Sequence, residues 1–359
     1  MANGPRLVNT AKACEPCAKG RNRVRKLAWL FGILAALGLA AVVAVRLSPE
    51  PGVWVIRQVF DRGDAELAAA SAGHVPPGVI AHRDLLYGPG PDERFDLFLP
   101  PAGTPRKAPL IVWVHGGGFV AGDKSSVANW LSALAGHGYP VVSVEYRRGA
   151  SGAYPLPVRQ VNAAIAHIRA DAAALGIDPG ALVLGGDSAG AHIAAQLALS
   201  ITDPAYAQKL GIAPAVPAQD LRGMLLTSGI YDLPDLGGGG MIGAFVRAAF
   251  RGYTGETDPA RVKGGELFSV IAHVGPAFPP SFITGGNADP LTPQGLKLAE
   301  RLASLGVTTD TLFFPAEHQP PLGHEYQLRL NTEEGRLALD RMLAFLAALD
   351  PPQAKIATD

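Results

Sequence analysis

The stretch that most restricts what this chain can fold into is Gly186-Asp187-Ser188-Ala189-Gly190. It follows the apolar run Ala181-Leu182-Val183-Leu184-Gly185 and opens an alanine-rich segment through Leu199. A strand, a sharp turn and a helix in immediate succession leave little room at the turn. A serine placed there adopts a strained backbone with its hydroxyl exposed, and flanking glycines let strand and helix approach without a Cβ clash. Ser188 is therefore the candidate nucleophile. Alone the pattern is weak, because a chain this rich in glycine contains about 0.2 Gly-x-Ser-x-Gly sequences by chance. A second motif sharpens it. His115-Gly116-Gly117-Gly118 follows the apolar run 109–114, and chance supplies only about 0.015 of these.

From Gly78 onward, short apolar segments alternate with helix-period stretches. That alternation predicts an α/β fold, a mostly parallel central sheet with helices on both faces. Strands are expected at 81–87, 94–99, 109–114, 140–145, 181–185, 223–230, 281–284 and 311–314, the first two as a hairpin-like start. Apolar positions recur at helical spacing over 156–175, where Gly176 closes the helix, and a final helix starts at the Asn331-Thr332 cap. An insertion at 232–276 holds the glycine run 237–240 and an apolar stretch, 241–250, which reads either as a hinged lid or as an ordinary flexible loop.

A serine hydroxyl is a poor nucleophile near neutral pH. It needs a histidine to take its proton and a carboxylate to orient that histidine, here expected in the chain order serine, acid, histidine. Asp289 follows the penultimate strand directly and is preferred on strand order; Asp232 is the rival carboxylate. His324 precedes residues that can begin a helix, whereas His318 leads into two prolines, so His324 is preferred. The oxyanion of an attacked carbonyl requires preorganised donors. Gly117 and Gly118 have no side chain to obstruct their amides, and the amide of Ala189 lies at the positive end of the helix after the turn. Asp187 reads as a turn residue and His115 as a brace for the glycine loop. The seven histidines besides His318 and His324 form no cluster with ligand spacing, so a catalytic metal is not expected.

The chain is 48% hydrophobic and 17% charged, apolar for a soluble protein, and the excess has a location. Residues 27–45 carry no charge and as a helix span roughly 28 Å, about the hydrocarbon thickness of a bilayer. The net charge of zero hides seven basic residues against one acidic before Leu27. Basic flanks stay cytoplasmic, which predicts a single-pass transmembrane helix at 27–46 with the remainder of the chain across the membrane. A cleaved signal peptide and a buried helix are the rivals. Residues 1–26 read as a disordered basic arm. Residues 47–77 read as a plain linker helix, as a segment along the membrane surface or as a cap folded back over the active site, and 351–359 as a tail. Both cysteines, Cys14 and Cys17, fall in the basic arm, so the part beyond the membrane has no disulfide.

With these residues placed, the chain resembles the α/β-hydrolase family, in its hormone-sensitive-lipase-like carboxylesterase branch. That branch has a His-Gly-Gly-Gly oxyanion motif, here 115–118, and a Gly-Asp-Ser-Ala-Gly nucleophile motif, here 186–190. Its Asp-Pro-Leu acid motif matches 289–291, and its base histidine with an aromatic two residues on matches His324 and Tyr326; His318 has Pro320 at that position. The resemblance covers about 78–350 and implies a cofactor-free hydrolase of carboxylic esters. Where the branch commonly has Asp-Tyr-Arg-Leu-Ala-Pro-Glu, this chain reads Glu145-Tyr146-Arg147-Arg148-Gly149-Ala150-Ser151, so substrate size does not carry over. The expected function is a membrane-anchored serine carboxylesterase acting on small to medium acyl esters. Its partners are a small-molecule ester and the membrane, with no nucleic acid, and the oligomeric state is open. A ligand-binding protein without chemistry and a peptidase or acyltransferase using the same three residues are the alternatives.

Overall fold

The computed structural model describes residues 15–149, 153–232, 240–258 and 261–349. It divides into one unit ending at Pro51 and a larger one beginning at Gly52. The first unit is dominated by α1 (Glu15–Leu47). Within it, residues 25–44 have a mean hydropathy of 2.4 and none of that window is buried. This is the one helix among the described residues that is long and apolar enough to cross a membrane. Residues 15–26, expected to be disordered, are helical instead. The apolar segment already supplies the costly helix nucleus, and extending it through alanine, lysine and arginine is cheap. Residues 1–14, with Cys14, lie outside the described residues.

The chain continues through α2 (Glu50–Ala72), β1 (Ile80–Leu86), β2 (Arg94–Leu99), β3 (Leu110–Val114), α3 (Ala128–Gly136), β4 (Val141–Val144), α4 (Leu156–Ala170), α5 (Ala172–Leu175) and β5 (Leu182–Asp187). Then come α6 (Ala189–Thr202), α7 (Pro204–Leu210), β6 (Leu221–Thr227), α8 (Gly240–Thr254), α9 (Val270–His273), β7 (Ser281–Gly285), α10 (Thr292–Ser304), β8 (Thr309–Phe313) and α11 (Glu333–Leu349). The eight strands form one sheet in the order β1-β2-β4-β3-β5-β6-β7-β8. The β1–β2 and β2–β4 pairs are antiparallel and every other pair is parallel.

The central strands read as unbroken apolar runs because both faces of the sheet are covered. Alternation still decides which way each side chain packs. Leu110, Val112 and Val114 of β3 join the core that holds α4 and α6, while Ile111 and Trp113 join the one that holds α3 and α11. The helix α3 is absent from the sequence expectations. Seven of its nine residues are buried, so it shows no polar face from which a helical period can be read.

Helix α2 is neither free nor a simple linker. Val53 and Ile56 on it pack with Val120, Ala121 and Ala249. Arg57 Nε donates to Val120 O at 2.9 Å, and Ser71 Oγ donates to Leu328 O at 2.7 Å. The compact unit therefore starts at Gly52, not at residue 78, because the buried stripe of α2 completes its core. Of the insertion at 232–276, α8 is described; residues 237–239 of the glycine run lie outside the described residues, as do 350–359.

Candidate active site

The carboxyl ends of the parallel strands bring the candidate residues to one edge of the sheet. Strands β3 and β5 are neighbours, with Val114 opposite Gly186, so the glycine loop after β3 and the turn after β5 emerge side by side. At that turn Ser188 has φ 51° and ψ −118°, a conformation that costs a non-glycine residue about 1–3 kcal/mol. Close packing holds it there. A Cβ on Gly190 would lie 2.0 Å from Val114 O, and one on Gly186 would lie 2.5 Å from the carbonyl carbon of Gly190. The Ser188 N–H donates to Thr227 O at 2.9 Å, which ties the turn to β6.

His324 Nε2 lies 3.0 Å from Ser188 Oγ, and its Nδ1 lies 2.9 Å from Asp289 Oδ2. Asp289 is side-chain buried, and its Oδ1 accepts the N–H of Leu291 at 2.9 Å. A carboxylate at Nδ1 fixes the tautomer that leaves the Nε2 lone pair toward the serine. The acid and base loops are fastened to each other. Leu322 N–H donates to Asn287 Oδ1 at 2.8 Å, Ala288 N–H donates to Leu322 O at 2.9 Å, and Tyr326 Oη and Thr284 Oγ1 are 2.6 Å apart. Burial alone would depress the His324 pKa; the charge of Glu325, the hydrogen bond and charge of Asp289 and the charge of Asp187 outweigh it and raise the ring to about 9.

The rival residues stand elsewhere. Asp232 offers its backbone N–H to Gln294 Oε1 at 2.8 Å. His318 pairs with Glu334 at 3.1 Å and packs on Phe314. His115 braces the glycine loop, with Nδ1 2.8 Å from Gly116 O and Nε2 3.2 Å from Glu145. Burial opposes its protonation, but the Glu145 charge and hydrogen bond raise its pKa above the ordinary value.

Gly117 and Gly118 have φ of 109° and 58°, the left-handed region that favours glycine. Gly118 shares a cavity wall with Ser188 and His324, while Gly117 lines a small polar chamber behind the loop. Ala189 is fully buried at the first position of α6, where its N–H has no intrahelical acceptor. Among the described residues no group of His, Cys, Asp and Glu is arranged to hold a metal ion.

Several residues of this site are invisible to motif reading. Asp187 is not merely a turn residue: its Oδ1 accepts from Trp113 Nε1 and its Oδ2 from the Gly116 N–H, both at 2.7 Å. It thereby pins the glycine loop to the nucleophile turn. Glu325 Oε1 lies 3.5 Å from His324 Nε2. The serine hydroxyl, expected to be exposed, faces a cavity instead, and Ser188 is only 3% accessible. That cavity, about 400 Å³, is lined by Phe60 of α2, by Phe245, Val246, Ala249 and Phe250 of α8, and by Phe119, Ile230, Pro290 and Leu291. Its polar features are Ser188 and His324, so it suits an uncharged, apolar group.

Comparison with known proteins places this geometry in a family. A family model described as BD-FAE matches residues 95–302. The esterase LipQ of Mycobacterium tuberculosis is 28% identical over 272 residues, a match covering 74% of this chain and 62% of LipQ. The esterase LipI of the same organism is 29% identical over 279 residues, covering 75% of this chain and 81% of LipI. The chain thus spans less than two thirds of the length of LipQ and more of LipI. Among solved structures, esterase B from Lactobacillus rhamnosis superposes with a TM-score of 0.72 at 22% identity, covering 84% of this chain and 96% of that one, which speaks to the shared fold. The chain belongs to the BD-FAE family, and its fold is that of the α/β-hydrolase esterases.

Proposed function

We propose that this protein is a membrane-anchored serine carboxylesterase that hydrolyses small to medium uncharged acyl esters through an acyl-enzyme on Ser188. The observation that carries the reading is the continuous hydrogen-bonded path from Ser188 Oγ through His324 to Asp289, opening on an apolar cavity. In the first half-reaction Ser188 Oγ attacks the ester carbonyl carbon as its proton passes to His324 Nε2. Asp289 holds the ring and offsets the charge it gains. The N–H groups of Gly117, Gly118 and Ala189 receive the oxyanion. The intermediate then expels the alcohol, which takes the proton from Nε2. Water attacks the acyl-enzyme by the same route in reverse roles and releases the acid. The esterase names of LipQ and LipI support the substrate class.

Removing the nucleophile or the base tests the chemistry. Ser188→Ala and His324→Ala should each cut kcat on short-chain aryl esters by about ten-thousand-fold or more, and Asp289→Asn by a similar factor. Turnover that survives in Ser188→Ala would end the reading. The pH dependence follows from the base. Protonated His324 cannot accept the serine proton, and its pKa is raised to about 9. kcat/KM, which reports the free enzyme, should therefore climb from neutrality toward that value and be lost as pH falls through it. A profile already flat at pH near 6.5, the ordinary histidine value, would contradict this.

The same proposal places the basic arm in the cytoplasm and the catalytic unit outside it. The helix α1 with its apolar 25–44 segment and the excess of positive charge ahead of it support this orientation. A protease added to sealed right-side-out membranes should digest the catalytic unit; its full protection would refute the orientation.

A further inference from the structure

The residue after the base carries a second carboxylate into the site. Glu325 Oε1 lies 3.5 Å from His324 Nε2, on the nitrogen that faces Ser188 and away from the one held by Asp289. The residue is 8% accessible, and Oε1 accepts no hydrogen bond from the described residues. A buried carboxylate oxygen without a donor is costly. Its backbone adds to the cost, because Glu325 has φ 58°, a left-handed conformation for a non-glycine residue. Its N–H is spent on Ser228 Oγ at 3.2 Å, and Ser228 is itself left-handed with φ 47°. Strain and desolvation at one position beside the reacting nitrogen mark a functional constraint.

Resting on the esterase reading above, we propose that Glu325 is a positioning residue for the reaction: its carboxylate, held against Nε2, stabilises the imidazolium that forms when Ser188 gives up its proton. Asp289 acts on the opposite nitrogen, so the two carboxylates bracket the ring and share the work of making it a strong base.

The surroundings fit a single negative charge at this place. Asp187 from β5 faces the same spot, since a Cβ built on Gly116 would lie 2.3 Å from Asp187 Oδ2 and 2.9 Å from Glu325 Oε1. Burial raises the Asp187 pKa well above the usual carboxylate range, and the neighbouring Glu325 carboxyl pushes it the same way. Asp187 is thereby the member of the pair that resists ionisation. The other ionisable groups around the pair are Asp289 ahead of α10, Asp64 of α2, whose pKa burial also raises, and His115, backed by Glu145 and Arg148. Asp64, His115, Asp187 and Glu325 line one small chamber behind the glycine loop. Within it His115 is the one basic side chain, and the Glu145 carboxylate raises its pKa.

The test is the pH profile of kcat/KM on a soluble short-chain aryl ester, measured with the full-length protein as wild type, Glu325→Gln and Glu325→Asp. In Glu325→Gln the acid limb should move to lower pH by about one unit or more, and the high-pH plateau should fall several-fold. The variant then compares best with wild type near neutrality and worst in alkali. Glu325→Asp, which keeps the charge but withdraws it, should give an intermediate midpoint. Should Glu325→Gln fail to fold, the Asp variant decides alone: a lowered midpoint supports the proposal and an unmoved one overturns it. A loss that is equal at every pH, with the midpoint unchanged, would reduce Glu325 to a structural residue. Failure of the esterase reading would look different, as no turnover in the wild type at any pH.

Discussion

The site depends on how closely one helix can approach two strands. With 2.0 Å between a hypothetical Gly190 Cβ and Val114 O, only a glycine lets α6 start directly over β3 and β5. That approach forces Ser188 into its strained backbone and aims its hydroxyl at the adjoining loops. Because β3 and β5 are paired in register, the same approach sets the glycine loop beside the serine. The cost at one residue is offset by the buried contacts of the strands and helices around it, as local strain in a cooperative fold must be.

The second constraint is the handling of charge away from water. Buried carboxyls must find donors, share a proton or serve a cation. Asp187 finds Trp113 and the Gly116 amide; Glu145 finds His115, the Lys124 N–H and Arg148; Asp96 finds Arg83, Lys124 and the Asp84 N–H. These pairs hold the glycine loop and the segment after β4 in fixed relation to the sheet. Asp289 and Glu325 are set apart, because the group they face is the imidazole of His324. Around that polar knot the walls are apolar. They come from α2 and α8, which lie far apart in sequence and meet where Phe60 and Phe245 approach with ring centroids 5.9 Å apart.

How much of this could be read from the chain follows from what each feature needs. The nucleophile turn and the glycine loop are local, each confined to five or fewer residues beside a strand, so spacing alone exposes them. Asp289 and His324 needed strand order as well, and that order was legible because the parallel strands are separated by clear helical periods. Helix α3 was not, since burial on nearly every side erased its amphipathic signal. The inner face of α2 was not either. Val53, Ile56 and Phe60 look like the start of any amphipathic segment, and the partners from outside α2 lie sixty or more residues away. Asp187 and Glu325 carry ordinary turn or loop composition, and their importance arises only when folding brings two carboxyls against one backbone nitrogen and one imidazole.

The central claim is that Ser188 is made reactive by His324. Its most direct measurement is the mapping of a covalent adduct after exposure to a fluorophosphonate, with the modified peptide identified by mass spectrometry. The account predicts a single stoichiometric adduct on Ser188 that forms far more slowly once His324 is replaced by alanine. An adduct on another residue, or one on Ser188 whose rate is indifferent to the loss of the imidazole, would contradict it.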